Sequence, residues 1–169
     1  MTRARPIPAA RSTAQLVRAL AHALPARHAT VAVAESCTAG LLGAALTSVS
    51  GSSVYFSGGV IVYANAAKTR LLAIAPALLA RHGAVSAPVA RQMACAVRRR
   101  LAATFGIAIT GIAGPTGGTP HKPVGTVWLG LAGPRVECAR RVQLIGTRAQ
   151  IRARAVRAAL ALLEEYLVQ

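Results

Sequence analysis

The spacing of hydrophobic residues along the chain predicts an alternation of helices and strands. Leu16, Leu20 and Leu24 recur at helical intervals, which predicts an amphipathic first helix behind a disordered or frayed tail, residues 1–11. Residues 30–34, TVAVA, then predict a short buried strand. The rest of the pattern predicts, in order, a helix to about residue 48, a strand at 54–63, a short helix from 65, a loop around 76–83, a helix at 86–103, strands at 105–110, 124–131 and 136–144, and a helix at 147–167.

This order of elements predicts an α/β fold in which helices cover both faces of a mixed sheet of about five strands. A chain of 169 residues is long enough to bury one compact core. No repeat, linker or low-complexity segment interrupts it, so we expect a single domain over residues 12–169. The glycine- and proline-rich stretch at 111–123 is typical of a functional loop.

The composition narrows the choice of partners. Hydrophobic residues make up 54% of the chain but aromatic residues only 4%, which disfavours single-stranded nucleic-acid binding by base stacking. Lys and Arg total 20 against 4 Asp and Glu, a formal charge of +16. Such a charge favours phosphate-bearing partners without specifying a reaction. We attribute most of it to arginines on solvated faces, and we expect nucleic acid not to be the main partner.

Signals for disulfides, metals and membranes are weak. The three cysteines, Cys37, Cys95 and Cys138, include no CxxC pair, which argues against a disulfide framework or a cysteine zinc site and favours a reducing, cytoplasmic compartment. The four histidines show no HxH or HxxxH spacing, so we predict no metal. No run approaches the roughly 18 apolar residues that a membrane helix needs, so we expect a soluble protein without a membrane partner.

The leading candidate for chemistry is Ser36, which lies where the strand at 30–34 ends and a helix begins. Open α/β sheets bind ligands at the carboxyl ends of their strands, and helix amino termini offer N–H groups to anions. A serine hydroxyl needs a base, and the chain contains no aspartate, so a Ser-His-Asp triad is impossible. Lys68 is the better base if desolvation or nearby positive charge lowers its pKa. Tyr63 could relay a proton or orient the amine.

Other roles remain open for the same residues. Ser36 or Thr38 could instead cap the predicted helix. Cys37, at the same helix amino terminus, would have a lowered pKa and could be a thiolate nucleophile. Glu35 is a strand-end carboxylate satisfied by backbone or arginine partners more often than a catalytic acid, and it could also orient Lys68 or the substrate. Spacing alone does not choose among these roles.

Four sequence blocks carry a resemblance to a known family: AESCTAGLL at 34–42, SGGVIVYANAAK at 57–68, HGAVS at 82–86 and TGIAGPTGGTPHKPVGTVW at 110–128. Over roughly residues 12–166 the chain is similar to the CinA carboxy-terminal domain family, the nicotinamide-mononucleotide deamidases. The resemblance implies a three-layer α/β/α fold and hydrolysis of the nicotinamide carboxamide to nicotinate mononucleotide and ammonia, in pyridine-nucleotide salvage and without a cofactor. It also implies Ser36 as the nucleophile, with Tyr63 and Lys68 beside it.

The resemblance further implies that the TGIAGP block lines a substrate pocket. The expected partner is therefore a small nucleotide, and we expect the protein to form a homo-oligomer. The candidate substrate contacts are Thr110, Gly111 and Gly114 in this block, Cys37 and Thr38 beside the nucleophile, and Arg148, which matches the arginine of the family's GDR element and is expected to contact the substrate or its phosphate.

The sequence departs from the family pattern at three positions. Ala39 stands where a glycine is common, Thr116 replaces the aspartate of GPDGGTP, and Thr147 replaces the aspartate of GDR, which would normally help to fix the guanidinium of Arg148. Family members with an added amino-terminal domain also hydrolyse a pyrophosphate bond, but 169 residues leave no room for it, so we predict only the amidase. Two rival classes remain: a non-catalytic nucleotide-sensing module and a basic nucleic-acid-associated protein.

Overall fold

The computed structural model of the protein describes residues 11–167, so most of the predicted tail lies outside the described residues. The strands are β1 (Val31–Glu35), β2 (Phe56–Ile61), β3 (Phe105–Gly111), β4 (Thr126–Gly133) and β5 (Val136–Gln143). The α-helices are α1 (Thr13–Ala23), α2 (Leu41–Leu46), α3 (Asn65–Leu72), α4 (Pro76–His82), α5 (Ala87–Arg100) and α6 (Arg148–Leu167), with short 3-10 turns at Pro25–Arg27 and Ser52–Val54.

The five strands form one mixed sheet in the order β2-β1-β3-β4-β5. β1 runs parallel to both β2 and β3, whereas β4 is antiparallel to β3 and to β5. The carboxyl ends of β1, β2 and β3 therefore meet at one edge of the sheet, which we call the carboxyl edge. The turn between β4 and β5 lies at the opposite edge, where Ala132 pairs with Gly106 near the start of β3.

Helices cover both faces of the sheet, which confirms the predicted three-layer fold. The larger side chains of the central strands, such as Val33 and Ile107, face a core that includes residues of α1, α2 and α6. The alternate positions, such as Ala34 and Ala108, face a second core that includes residues of α3, α4 and α5. Alternation along the strands therefore divides the interior into two cores, one against each face of the sheet.

The small residues on the second face let α5 lie very close to the sheet. A β-carbon added at Gly106 would come within 2.1 Å of the carbonyl oxygen of Ala94, and one added at Gly130 within 2.0 Å of the carbonyl oxygen of Ala90. Both obstacles are helix backbone, which cannot rotate away as a side chain could. These two glycines therefore set the distance between α5 and the sheet.

We expect Gly130→Ala to destabilise the protein by about 2–3 kcal/mol, because the new methyl group must push α5 off the sheet. Urea unfolding followed by circular dichroism measures the change. Gly43→Ala is the matched control, because a β-carbon there lies 3.5 Å from its nearest neighbour within a helix, where alanine is favoured. Equal stability of the Gly130 variant and the wild type would contradict this packing.

Two segments differ from the sequence prediction. The segment around residue 76, expected to be a loop, is the helix α4, with Pro76 in its first turn, where proline is well tolerated because its missing N–H is not needed. The helix expected from residue 36 begins only at Leu41. In residues 11–167, no helix has the length and apolar character needed to cross a membrane.

Candidate functional site

Ser36 and Lys68 meet at the carboxyl edge of the sheet. Ser36 directly follows β1, and its N–H donates to the carbonyl of Ile109 in β3 at 2.9 Å, so the residue is held in line with the neighbouring strand. Lys68 lies on α3, shortly after β2 ends. Its Nζ is 3.2 Å from the Ser36 Oγ. Both residues are buried, with Lys68 1% exposed and Ser36 8% exposed. The sequence prediction that these groups lie together is therefore confirmed in geometry.

The lysine amine has two further partners, and both are backbone carbonyls. Nζ lies 2.8 Å from the oxygen of Val62 and 3.1 Å from that of Tyr63. A neutral amine has two hydrogens and one lone pair. If the hydrogens donate to these two carbonyls, the lone pair is directed at the hydroxyl of Ser36. This arrangement suits a base that takes the serine proton.

The surroundings of Lys68 favour that neutral form. Burial lowers its pKa below the ordinary lysine value, and the thiol of Cys37 opposes this shift only as a weaker effect. Within residues 11–167 no salt bridge pairs Lys68 with a carboxylate. Desolvation without a counter-charge is the condition under which a lysine becomes a base near neutral pH.

Glu35, the nearest carboxylate in sequence, is used for another purpose. Its Oε2 accepts the N–H groups of Gly40 and Leu42 at 3.1 and 3.0 Å, and its Oε1 accepts that of Gly43 at 2.8 Å. Glu35 is 1% exposed, and its carboxylate provides the hydrogen-bond acceptors for the N–H groups at the start of α2. The prediction that Ser36 or Thr38 caps this helix is therefore wrong, whereas the interpretation of Glu35 as a carboxylate satisfied by backbone is confirmed.

The turn after Ser36 is fixed by a residue that the sequence analysis missed. Arg152 on α6 donates its Nε to the carbonyl of Cys37 at 3.1 Å and its NH2 to that of Thr38 at 2.8 Å. Ala39 has a φ of 49°, in the left-handed region that favours glycine, which explains why a glycine is common there in the family. In the sequence, Arg152 directly follows the inward-facing Ile151. Nothing in that position indicated that its side chain would reach this turn.

The N–H groups of Cys37 and Thr38 have no hydrogen-bond partner in another residue of the described chain, 11–167. The neighbouring N–H groups do have partners: that of Ala39 donates to Ser36, and that of Leu41 to Thr38. Glu35 already accepts the N–H groups at the start of α2, so these groups are not available to an oxyanion. The N–H groups that remain are those of Cys37 and Thr38, in the turn that immediately follows Ser36.

The side chains of Cys37 and Thr38 are not open to solvent. They are 5% and 0% exposed, and the Thr38 hydroxyl has no hydrogen-bond partner within residues 11–167. Burial raises the pKa of the Cys37 thiol to about 11, although Arg152 acts in the opposite direction. The expectation of a lowered pKa at Cys37 is wrong, because desolvation exceeds the effect of nearby positive charge. This argues against the thiolate alternative.

Tyr63, Arg148 and Gly114 are joined by hydrogen bonds, and we call this part of the site its outer rim. The Arg148 NH2 donates to the Tyr63 hydroxyl at 2.9 Å, and its NH1 donates to the carbonyl of Gly114 at 2.8 Å. Within residues 11–167 no hydrogen bond links the Tyr63 hydroxyl to Ser36 or Lys68. Tyr63 therefore orients the amine through its backbone carbonyl, and a proton relay through its phenol has no support in this geometry.

The remaining predicted contacts lie at the end of β3. Thr110 follows Ile109, the residue paired with Glu35, so it lies beside Ser36, and its hydroxyl donates to the carbonyl of Ala84 at 3.0 Å. Gly111 ends the strand, and Gly114 is buried just before the exposed part of the loop, which begins at Pro115. Register thus brings this block to the carboxyl edge, next to the serine and lysine.

Thr147, where the family has an aspartate, caps the last helix. Its hydroxyl accepts the N–H of Gln150 at 3.4 Å, and its own N–H donates to the Gln150 side chain at 2.9 Å, a reciprocal capping box. Threonine can replace aspartate in this role, and Arg148 is held by Tyr63 and Gly114 instead. Thr116 lies exposed in the loop. Within residues 11–167, no three His, Cys, Asp or Glu side chains cluster as metal ligands.

These features define a class: three-layer α/β proteins with a buried serine–lysine pair at the carboxyl edge of the sheet. The chain matches the CinA C-terminal domain over residues 13–167, and it belongs to that family. It is 56% identical over 129 residues, 76% of this chain, to a CinA-like protein of Salinibacter ruber. It is 55% identical over 134 residues, 79% of this chain, to a CinA-like protein of Gemmatimonas aurantiaca. The chain spans only 31% of the length of each of these two relatives.

Solved structures agree with this assignment. The competence/damage inducible protein CihA from Agrobacterium tumefaciens superposes with a TM-score of 0.90 at 36% sequence identity, covering 98% of this chain and 100% of that one. The competence damage-inducible protein A (ComA) from Klebsiella pneumoniae has a TM-score of 0.91 at 34% identity, covering 94% and 99%. The fold and the family are thus supported by sequence and by structure.

Proposed function

We propose that the protein hydrolyses the carboxamide of nicotinamide mononucleotide to nicotinate mononucleotide and ammonia. The observation that carries this proposal is the contact between Ser36 and Lys68, in which a buried amine with no salt-bridge partner in residues 11–167 lies 3.2 Å from a serine hydroxyl. That pair is suited to acyl transfer, because it activates a nucleophile without a histidine or an aspartate. The choice of this amide rests on the family resemblance of the surrounding blocks.

In the proposed reaction, Ser36 Oγ attacks the carboxamide carbon while its proton passes to the Lys68 amine. The tetrahedral intermediate then collapses, and Lys68 returns that proton to the departing nitrogen, which leaves as ammonia. The product of this step is an ester between Ser36 and the nicotinoyl group. Lys68 next deprotonates a water molecule that attacks the ester, which releases nicotinate mononucleotide and restores the serine.

The negative charge of the tetrahedral intermediate needs hydrogen-bond donors close to Ser36. We assign this role to the N–H groups of Cys37 and Thr38, since their neighbours in the turn already have partners. A donor of this kind contributes roughly 3–4 kcal/mol to the transition state. This assignment replaces the expectation that the first turn of α2 itself holds the oxyanion.

The ribose phosphate of the substrate is assigned to the outer rim of the site. Tyr63 is 57% exposed, and Arg148 beside it is also exposed, so this part of the site is accessible to a nucleotide. Guanidinium groups bind phosphate through paired hydrogen bonds. Binding energy from the phosphate would hold the amide over Ser36, and free nicotinamide, which lacks that group, would be a much poorer substrate.

The test is release of ammonia by the purified protein from nicotinamide mononucleotide, with free nicotinamide and a mononucleotide lacking the carboxamide as comparison substrates. The proposal expects stoichiometric ammonia and nicotinate mononucleotide from the first, much slower release from the second and none from the third. Tight binding of nicotinamide mononucleotide without turnover would instead identify a nucleotide-sensing module.

Arg152→Met is expected to lower kcat by about tenfold to a hundredfold, because the turn that carries Ser36 loses both of its guanidinium contacts and small misplacements of a nucleophile are costly. KM should change much less, since Arg152 acts through the turn and not through the substrate. Steady-state ammonia release measures both constants. Arg157→Met, on the exposed side of the same helix, removes an identical charge and should leave both unchanged. A change confined to KM would contradict a positioning role.

A further inference from the structure

A second candidate site lies at the edge of the sheet opposite Ser36. A cavity of about 330 Å³ opens between the last turns of α5 and the turn that joins β4 to β5. The sheet register places it near Gly106, at the start of β3, whereas Ser36 lies beside the end of that strand. Its polar and charged lining residues are Cys95, Arg98, Arg99, Arg135 and Glu137.

The charge of this cavity is strongly positive. Three arginines line it, and in the described part of the chain none of them forms a salt bridge. Its one carboxylate, Glu137, is paired with Arg91 at 3.5 Å. The cavity thus brings together three guanidinium groups without a salt-bridge partner in residues 11–167, an arrangement that costs electrostatic energy unless an anion compensates for it.

One of these arginines is held in place before any ligand binds. The Arg98 Nε donates to the carbonyl of Thr104 at 2.9 Å, and the first carbon of its side chain lies over Gly106, where an added β-carbon would approach within 2.7 Å. Within residues 11–167 the two terminal nitrogens of its guanidinium form no hydrogen bond to another residue. A side chain fixed in this way loses little conformational entropy when it binds an anion.

The helix dipole of α5 explains only part of this arginine cluster. Arg98 and Arg99 lie in the last turn of that helix, where cations are favourable. Arg135 lies in the hairpin turn after β4 and is not part of α5. The dipole of α5 therefore does not explain its presence here. Its convergence on the same cavity is a product of the tertiary structure.

We propose that this cavity binds a small phosphorylated anion, with Arg98, Arg99 and Arg135 as its guanidinium ligands. A volume of about 330 Å³ is at the lower end of the range for small-molecule sites, which suits a pyrophosphate-sized group. Arginine clusters recognise phosphate oxygens by paired, charge-assisted hydrogen bonds. The site is independent of the serine–lysine pair and of the reaction proposed for it.

Inorganic pyrophosphate is the probe, titrated by calorimetry into the purified protein at near-physiological salt. We expect saturable binding of one pyrophosphate at this site. Arg99→Gln with Arg135→Gln should weaken it at least about tenfold, because two charge-assisted contacts are lost. Arg18→Gln with Arg157→Gln is the matched control: both arginines are exposed on the other helical layer, the net charge falls equally, and binding should stay within about twofold.

Cys95 provides a local readout, because its thiol lines the same cavity. Pyrophosphate should slow alkylation of Cys95 by iodoacetamide several-fold, and should do so far less in the Arg99 and Arg135 double variant, with peptide mass mapping to separate it from Cys138. Unchanged melting temperatures would show that the variants fold. Non-saturable binding, equal weakening in both double variants or no protection of Cys95 would overturn the proposal and leave the arginines as surface charge.

Discussion

Ser36→Ala is expected to lower kcat for ammonia release from nicotinamide mononucleotide by at least about a thousandfold, since loss of a nucleophile removes the covalent pathway entirely. Binding of the nucleotide should survive, because the phosphate is assigned to the outer rim of the site and not to Ser36. Within residues 11–167 the Ser36 hydroxyl hydrogen-bonds only to the Lys68 amine, so the variant should keep its fold. Stopped-time ammonia assays and calorimetric titration measure the two effects separately.

Two variants serve as controls for this experiment. Ser57→Ala removes an exposed hydroxyl from β2 and should retain full activity. Cys37→Ala removes the neighbouring thiol, whose pKa burial raises to about 11, and should keep most of the activity. If the Cys37 variant were inactive and the Ser36 variant active, the nucleophile would be the thiol and the serine mechanism would be wrong.

Lys68→Met is expected to cause a loss of similar size, at least about a thousandfold in kcat, because it removes the proposed base, the amine that hydrogen-bonds to the Ser36 hydroxyl. Methionine keeps most of the buried stem, so packing is largely preserved, although the carbonyls of Val62 and Tyr63 lose their donor. Lys122→Met, at the only other lysine of the chain, is the matched control and should remain active. Thermal unfolding checks that the Lys68 variant is folded under assay conditions.

The pH profile separates a base from a structural lysine. In the proposed mechanism Lys68 acts only when it is neutral, so kcat/KM should rise with pH through the pKa of its ammonium form in the free enzyme. Burial lowers that pKa, so the rise should occur below the ordinary lysine value of about 10.4. The residual activity of Lys68→Met should lack this rise. A wild-type profile that falls with increasing pH over this range would contradict the mechanism.

The same lowered pKa has a consequence for stability. The unfolded chain binds a proton at Lys68 up to its ordinary pKa, whereas the folded chain loses it at lower pH. Within that window the unfolded state carries more protons, so this residue makes the free energy of unfolding rise with pH. Below the folded-state pKa the ammonium is buried and its destabilising effect is complete. Chemical unfolding across this range, compared with Lys68→Met, measures the contribution.

By itself, the sequence determined the elements that local pattern controls. Hydrophobic periodicity located nearly all helices and strands, and this inference succeeded because it depends on spacing and residue type alone. The absence of aspartate also left Lys68 as the candidate base for Ser36. The structure places these two side chains together, and the role of the lysine stays a prediction. The helix α4 was missed because its seven residues include a proline and are followed by a glycine, which are also the signals of a loop.

Only the tertiary structure decided which groups serve the site. Glu35 caps α2, Arg152 holds the turn after Ser36, and Tyr63 orients Lys68 through its backbone. Each of these contacts joins a side chain to backbone groups whose positions depend on the whole fold, so no spacing in the sequence records them. The Cys37 pKa was misjudged for the same reason: a helix amino terminus is visible in the sequence, but the burial that outweighs it exists only once the layers have packed.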